Sequence, residues 1–318
     1  MTAGSNLVQM CAALCCALYA AISFASPFAY VPNEGSGTVS VIDTANDTVV
    51  GEIASGGKPR GIAVSRDGKR VFVTDQPANA LLVIDTATRA VASRVKLGDS
   101  PEGLSLSPDG ELLAAASEVA NVVILVDARS GSELARVATQ GKNPEHAVFT
   151  PDSRWLLVSA EDAEQVDVID VVNRRQVASI AVGKRPRGIA FTPDGSRAYV
   201  ACEAASTVYV IDVALRSVRA TISAGEFSNG VAMRPDGKMV YVSNGRGASV
   251  SAIDTATNKV IATIPVGQRP WNMAITPDGA KLYVANGRSG TVSVIDTASN
   301  RRIADIEVGK LPWGVAIR

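Results

Sequence analysis

The chain has 318 residues, 47% of them hydrophobic, and its 31 Lys and Arg balance its 31 Asp and Glu. Zero net charge argues against a strong nucleic-acid footprint, which needs a basic excess. It also gives no polybasic signal for an anionic membrane surface, while the apolar fraction is enough for a large core.

Residues 1–25 carry no charged side chain and are mostly apolar from Leu7 to Ala25. Ser23-Phe24-Ala25 has the small-x-small pattern of a cleavage site, so 1–25 is expected to be a secretory signal peptide. No Lys or Arg precedes the apolar run, so an uncleaved membrane anchor is the alternative. Cleavage would give a periplasmic or otherwise exported protein with no membrane span. It would also leave Cys202 alone, with no partner for an internal disulfide.

Beyond the leader one unit repeats. Asp43, Asp85, Asp127, Asp170, Asp212, Asp254 and Asp296 follow one another at steps of 42, 42, 43, 42, 42 and 42 residues. Residues 59–97 show the grammar of a unit. Pro59-Arg60-Gly61 leads into a first strand at Ile62, and Asp67-Gly68 makes a tight turn. Second and third strands follow at Arg70 to Thr74 and Ala80 to Ile84, and a fourth at Val91 to Leu97. Four short β-branched strands per unit, ended by Gly, Pro, Asp or Asn, make a propeller blade. The prediction is all-β: a seven-bladed β-propeller, four antiparallel strands per blade, filling residues 26–318 as one domain.

The two ends carry complementary fragments. The chain finishes in Pro312-Trp-Gly-Val-Ala-Ile-Arg318, a first strand with no turn after it. It begins, past the leader, in Phe28-Ala-Tyr-Val31, a second strand with no turn before it. Together they are expected to complete one blade, with the C-terminal strand innermost. Closure hides apolar faces that no blade can bury alone.

Tyr283-Val-Ala-Asn-Gly, Thr291-Val-Ser-Val-Ile-Asp-Thr297 and Thr276-Pro-Asp-Gly279 resemble the YVTN family of β-propellers along the whole mature chain. Pro101-Glu102-Gly103, Ser117-Glu118 and the ending Val308-Gly-Lys-Leu-Pro-Trp-Gly-Val315 resemble an exported subgroup associated with PQQ-dependent catabolism. His146 departs from the Pro-x-Gly pattern of that slot. The resemblance implies an association with periplasmic quinoprotein alcohol oxidation, in a role that is not an established catalytic one.

The repeated turn Asp residues are explained by turn chemistry, since an Asp carboxylate accepts nearby main-chain amides. Function is expected on the opposite face, where the copies differ. After the Pro, replaced by Ser228 in the fifth copy, stand Arg60, Glu102, Glu145, Arg187, Asn229, Trp271 and Trp313. The next position is Gly except at His146 and Asn272. The loops after the second strand add Glu34, Asp75, Glu118, Glu161, Glu203, Asn244 and Asn286. A funnel is expected, with carboxylates and His146 on one side and aromatic surface on the other, binding a small molecule or a protein partner such as a quinoprotein dehydrogenase system.

The alternative is a metal-dependent, lactonase-like hydrolase using the channel carboxylates. Ca²⁺ or another divalent ion would suit Glu102, Glu118, Glu145, Glu161 and His146, although no local ligand spacing requires a cofactor. His146 is the sole histidine, and neither a nucleophile elbow nor a Cys-x-x-Cys-His motif accompanies it.

Overall fold

The computed structural model describes residues 27–318. The expected leader and its alternative, an anchor, lie outside them. Seven four-stranded antiparallel sheets form a seven-bladed β-propeller. We number the blades I–VII in chain order from Phe28. Among the described residues the one helical segment is a single 3₁₀ turn, Glu161–Ala163, and no helix is long and apolar enough to cross a membrane.

The alternation of each strand dictates which layer it occupies. Second and third strands are buried almost throughout, as in Arg70–Asp75 and Ala80–Asp85. Their two faces pack against the two neighbouring blades, so apolar residues fill both. Phe72 and Leu81 of blade II, for example, share a core cluster with Leu113 and Ile124 of blade III. Fourth strands form the outer edge and are largely exposed, with one deeply buried residue such as Ile53 or Ile306. Large faces are thus dried between blades, and only short edges stay wet.

The turn residues do what Asp chemistry requires. In the first turns Asp67, Asp109, Asp152, Asp194, Asp236 and Asp278 each accept the amide two residues on, at 3.0–3.1 Å. In the second turns all seven repeat Asp residues accept an amide two or three residues on, such as Ser299 N to Asp296 at 2.7 Å. Three tyrosines add a tie between blades: Tyr199 and Tyr241 donate to Asn258 and Asn300 at 2.9 and 2.8 Å, and Tyr283 donates to Asp47.

The terminal strands close blade I as the sequence predicts. Phe28–Asn33 pairs with Thr38–Asp43 on one side and with Ala316–Ile317 on the other. Main-chain bonds extend this seam, with Phe28 N to Arg318 O at 3.1 Å and Trp313 N to Pro32 O at 2.9 Å. The inner strands depart from expectation in one respect. They start at the Pro, as in Pro59–Val64, and the register breaks between Pro59 and Ile62. A bulge at the same place in blades II–VII turns the residue after the Pro out of the ladder.

Candidate functional site

These bulges build the site. They deliver one residue per blade to the mouth of the central channel, and the following Gly lets adjacent inner strands touch. A Cβ at Gly61 would lie 2.3 Å from the carbonyl oxygen of Glu102, and one at Gly230 would lie 2.4 Å from that of Trp271. Two hydroxyls lock the arrangement. Thr74 donates to Glu102 O at 2.8 Å and accepts from Gly61 N at 2.8 Å. Ser243 donates to Trp271 O at 2.6 Å and accepts from Gly230 N at 2.8 Å.

A cavity of about 200 Å³ lies at this mouth, and all the slot and loop residues named from the sequence line it except His146, Glu203, Asp75, Asn244 and Asn286. The carboxylates do not form the bare acidic rim that the sequence suggests; they alternate with guanidinium groups. Arg60 pairs with Glu102 and reaches Glu34 at 3.1 Å. Arg187 pairs with Glu145 and reaches Glu161 at 3.1 Å and Glu203 at 3.3 Å. Arg185 pairs with Glu161, and Arg269 with Glu203 at 2.8 Å. Asn229 adds a long bond to Glu203 at 3.4 Å. Glu118 is held by the hydroxyl of Ser100 at 3.1 Å, and Gln76 bonds both Ser100 and Glu102.

Arg185, Arg269 and Gln76 lie outside the slots that the sequence singles out. The two arginines precede the Pro, in left-handed backbone with φ of 56° and 54°. That slot reads Lys58, Ser100, Asn143, Arg185, Phe227, Arg269 and Leu311, a variation as wide as in the slot after the Pro. The grouping of loop residues also needs correcting. Asp75, Asn244 and Asn286 end their second strands and are buried. Asn244 and Asn286 tie Ser251 and Ser293 of the third strand at 2.9 Å. Glu34, Glu118, Glu161 and Glu203 occupy the next position, at the rim.

The expected split between a carboxylate–His146 side and an aromatic side does not hold either. His146 of blade IV reaches across the ring to Trp313 of blade I, with centroids 5.5 Å apart and ring planes within 18°. Trp313 lines the cavity, and His146 packs against Trp313 without lining the cavity. Asn272 braces the pair, its amide donating to Trp313 O at 3.3 Å. Both ring nitrogens of His146 are buried and lack hydrogen-bond partners. Burial lowers the imidazole's proton affinity; Glu145 opposes that and Arg187 adds to it.

Burial and charge set the carboxylates apart. Burial pushes Glu102 up to about 8, with Glu145 adding to the shift and Arg60 opposing it. Burial also raises Glu161, against Arg187. At Glu145 burial works in the same upward direction, but Arg187, His146 and Arg60 outweigh it and hold the carboxyl low. A group that binds its proton more tightly when folded contributes stability below its unfolded value and loses it as pH rises. Stability is therefore expected to fall between the ordinary Glu value of 4.5 and about 8, and Glu102→Gln to flatten that fall. Urea melts across this window check it; an unchanged slope in the variant would exclude Glu102 as its source.

The donor set suits a divalent ion poorly, because Arg60 and Arg187 already occupy Glu102, Glu34, Glu145 and Glu161. Cys202 is buried, and its thiol is pushed up to about 12 by that burial. It is placed as an inert core residue.

A family profile described as a YNCE-like beta-propeller matches residues 10–317. The chain belongs to the YNCE-like β-propeller family. Among solved structures, this YNCE-like propeller resembles the Kuenenia stuttgartiensis hydrazine synthase, at 23% identity and a TM-score of 0.78. That match covers 85% of this chain and 92% of the other. It also resembles a functionally unknown protein from Desulfotomaculum acetoxidans DSM 771, at 17% identity and a TM-score of 0.80, covering 92% of this chain and 99% of that one. At such identities the likeness is one of fold. No curated protein matches the chain.

Proposed function

We propose that this YNCE-like propeller is an exported binding or accessory protein whose funnel mouth holds a small molecule or a side chain of a protein partner. The observation that carries the reading is the preorganised ring of ion pairs around a cavity lined also by Trp271 and Trp313. Guanidinium and carboxylate groups fixed by one another present charge and hydrogen-bond donors at set positions with little further ordering cost. Trp271 and Trp313 add aromatic surface to the lining. A hydrolase would instead need carboxylates free to take a metal or a proton from water, and here all of the rim carboxylates but Glu118 are engaged by arginines.

The resemblance to propellers of PQQ-dependent catabolism makes a periplasmic quinoprotein system the first partner to test. Crosslinking in the periplasm of the native host, followed by mass spectrometry, is the experiment. A dehydrogenase or its cytochrome should be recovered with the native chain and lost with Arg60→Glu, which reverses a charge at the rim. Equal recovery with both chains, or recovery of neither a protein nor an extractable small molecule, would overturn the reading.

A further inference from the structure

The rim changes character in two adjacent blades. The position after the second strand reads Glu34, Gln76, Glu118, Glu161 and Glu203 in blades I–V, then Gly245 and Gly287 in blades VI and VII. Each of these glycines is followed by an arginine, Arg246 or Arg288. The motif Asn-Gly-Arg thus stands at 244–246 and again at 286–288, and in no other copy. Removing the Glu and adding an Arg in neighbouring blades reverses the local charge.

The structure shows where these residues meet. Arg246, Arg269 and Arg288 line a recess of about 430 Å³ beside the funnel, together with Gly245, Ala248 and Gln268. No carboxylate lines it. Gly245 brings main chain close to the Arg269 guanidinium, 3.4 Å from where a Cβ would stand, an ordinary contact distance. Gly287 serves the funnel instead. A Cβ there would lie 2.8 Å from the Trp271 ring, which therefore packs flat against the loop.

The three cations differ in what already holds them. Arg269 is paired with Glu203 at 2.8 Å. Arg246 lies over the Phe227 ring, 3.7 Å from its centroid, so its fork is oriented without being neutralised. Arg288 is exposed, and among the described residues neither it nor Arg246 has an ion-pair partner. Glu226 approaches by its main chain, its carbonyl accepting the Arg246 amide at 3.2 Å. Two guanidinium charges are thus left uncompensated at the recess. Planar guanidinium forks match the paired oxygens of an oxyanion, and two of them match a double charge.

We infer that blades VI and VII form a site for a small dianionic oxyanion, inorganic phosphate or a phosphate monoester, held by Arg246 and Arg288 in the recess that Arg269 also lines. The site is separate from the funnel cavity but shares Arg269 with it. An anion here would draw on the guanidinium that neutralises Glu203, so the two sites are linked through one side chain.

Calorimetric titration of the full chain with inorganic phosphate and with glycerol phosphate, in buffer free of other oxyanions, tests this. Saturable binding of one anion per chain is expected, weakened about tenfold or more in Arg246→Gln and in Arg288→Gln, whose exposed side chains can be neutralised without disturbing the core. Lys96→Gln, which removes an exposed cation on the outer strand of blade II, should bind phosphate as the native chain does. Tighter binding of glycerol phosphate would assign an organic body to the recess, and equal binding would assign recognition to the phosphoryl group alone. Absence of saturable binding, or equal affinity in the Arg246→Gln/Arg288→Gln double variant with an unchanged melting temperature, would overturn the inference. So would binding of an oligonucleotide or an acidic peptide without binding of either small anion. None of these outcomes bears on whether the funnel has its own ligand.

Discussion

Arg187→Met is expected to destabilise the folded chain by about 3–5 kcal/mol at neutral pH, the usual cost of removing one member of a buried ion-pair network. Arg187 faces three carboxylates, those of Glu145, Glu161 and Glu203. Glu161 and Glu203 retain Arg185, and Glu203 retains Arg269 as well. Glu145 has no other ion-pair partner among the described residues and is buried. Its carboxylate would be left charged in a dry site, and it should take up a proton instead. The sign with pH follows. In the native chain Glu145 is held low, so its contribution is present above the ordinary Glu value and lost as pH falls through the folded one. In the variant the folded value rises, so the contribution of Glu145 itself should be present in acid and fall towards neutrality. Adding Glu145→Gln should restore a substantial part of the loss. Urea melts of the native chain, both single variants and the double variant measure this as a cycle. A single variant within about 1 kcal/mol of the native chain at neutral pH would show that the network acts like a surface ion pair.

The fold was legible because its signals are local and repeated. The Asp of each first turn imposes the same hydrogen bond in six copies, followed by Gly in five and by Ser153 in the sixth, and the period counts the blades. The ring closure was legible for a related reason: an unmatched first strand at one end and an unmatched second strand at the other leave one solution. The site was legible only as a set of slots. Spacing places Glu102, Glu145 and Arg187 at one radius, yet it does not say which side chain reaches which. The guanidinium of Arg185 comes from a residue that looks like plain loop, and its left-handed backbone before a Pro is a tertiary outcome. The His146–Trp313 stack joins blades that are not neighbours, and no pattern within a repeat can encode a contact across the ring. The signal that could have found the arginines was present. The position before the Pro varies as freely as the one after it, and variation at a fixed radius is what marks a site in a repeat array.

Deleting Pro312 to Arg318 should cost more than any single substitution in the channel. The segment supplies the inner strand of blade I, and its loss leaves that sheet with three strands. Val315 sits in a core cluster with Ala29, Val31 and Val292, and Trp313 is buried over His146. Removing these two side chains from their contacts alone forfeits about 3–6 kcal/mol of apolar burial. The seam also loses the main-chain bonds from Phe28 N to Arg318 O and from Trp313 N to Pro32 O, which leaves strand groups of Phe28–Asn33 unpaired in the interior. Blades in a closed ring support one another, so an opening at one seam exposes the faces of blades VII and II as well as that of blade I. The truncated chain is therefore expected to melt far below the full chain, and to associate through the exposed edge of Phe28–Asn33. Supplying residues 312–318 as a synthetic peptide should raise its melting temperature, because the missing strand binds a formed groove. Thermal melts and light scattering, with and without the peptide, decide the matter. A truncated chain that stays monomeric and melts with the full chain would mean that the ring is held by its inter-blade faces alone.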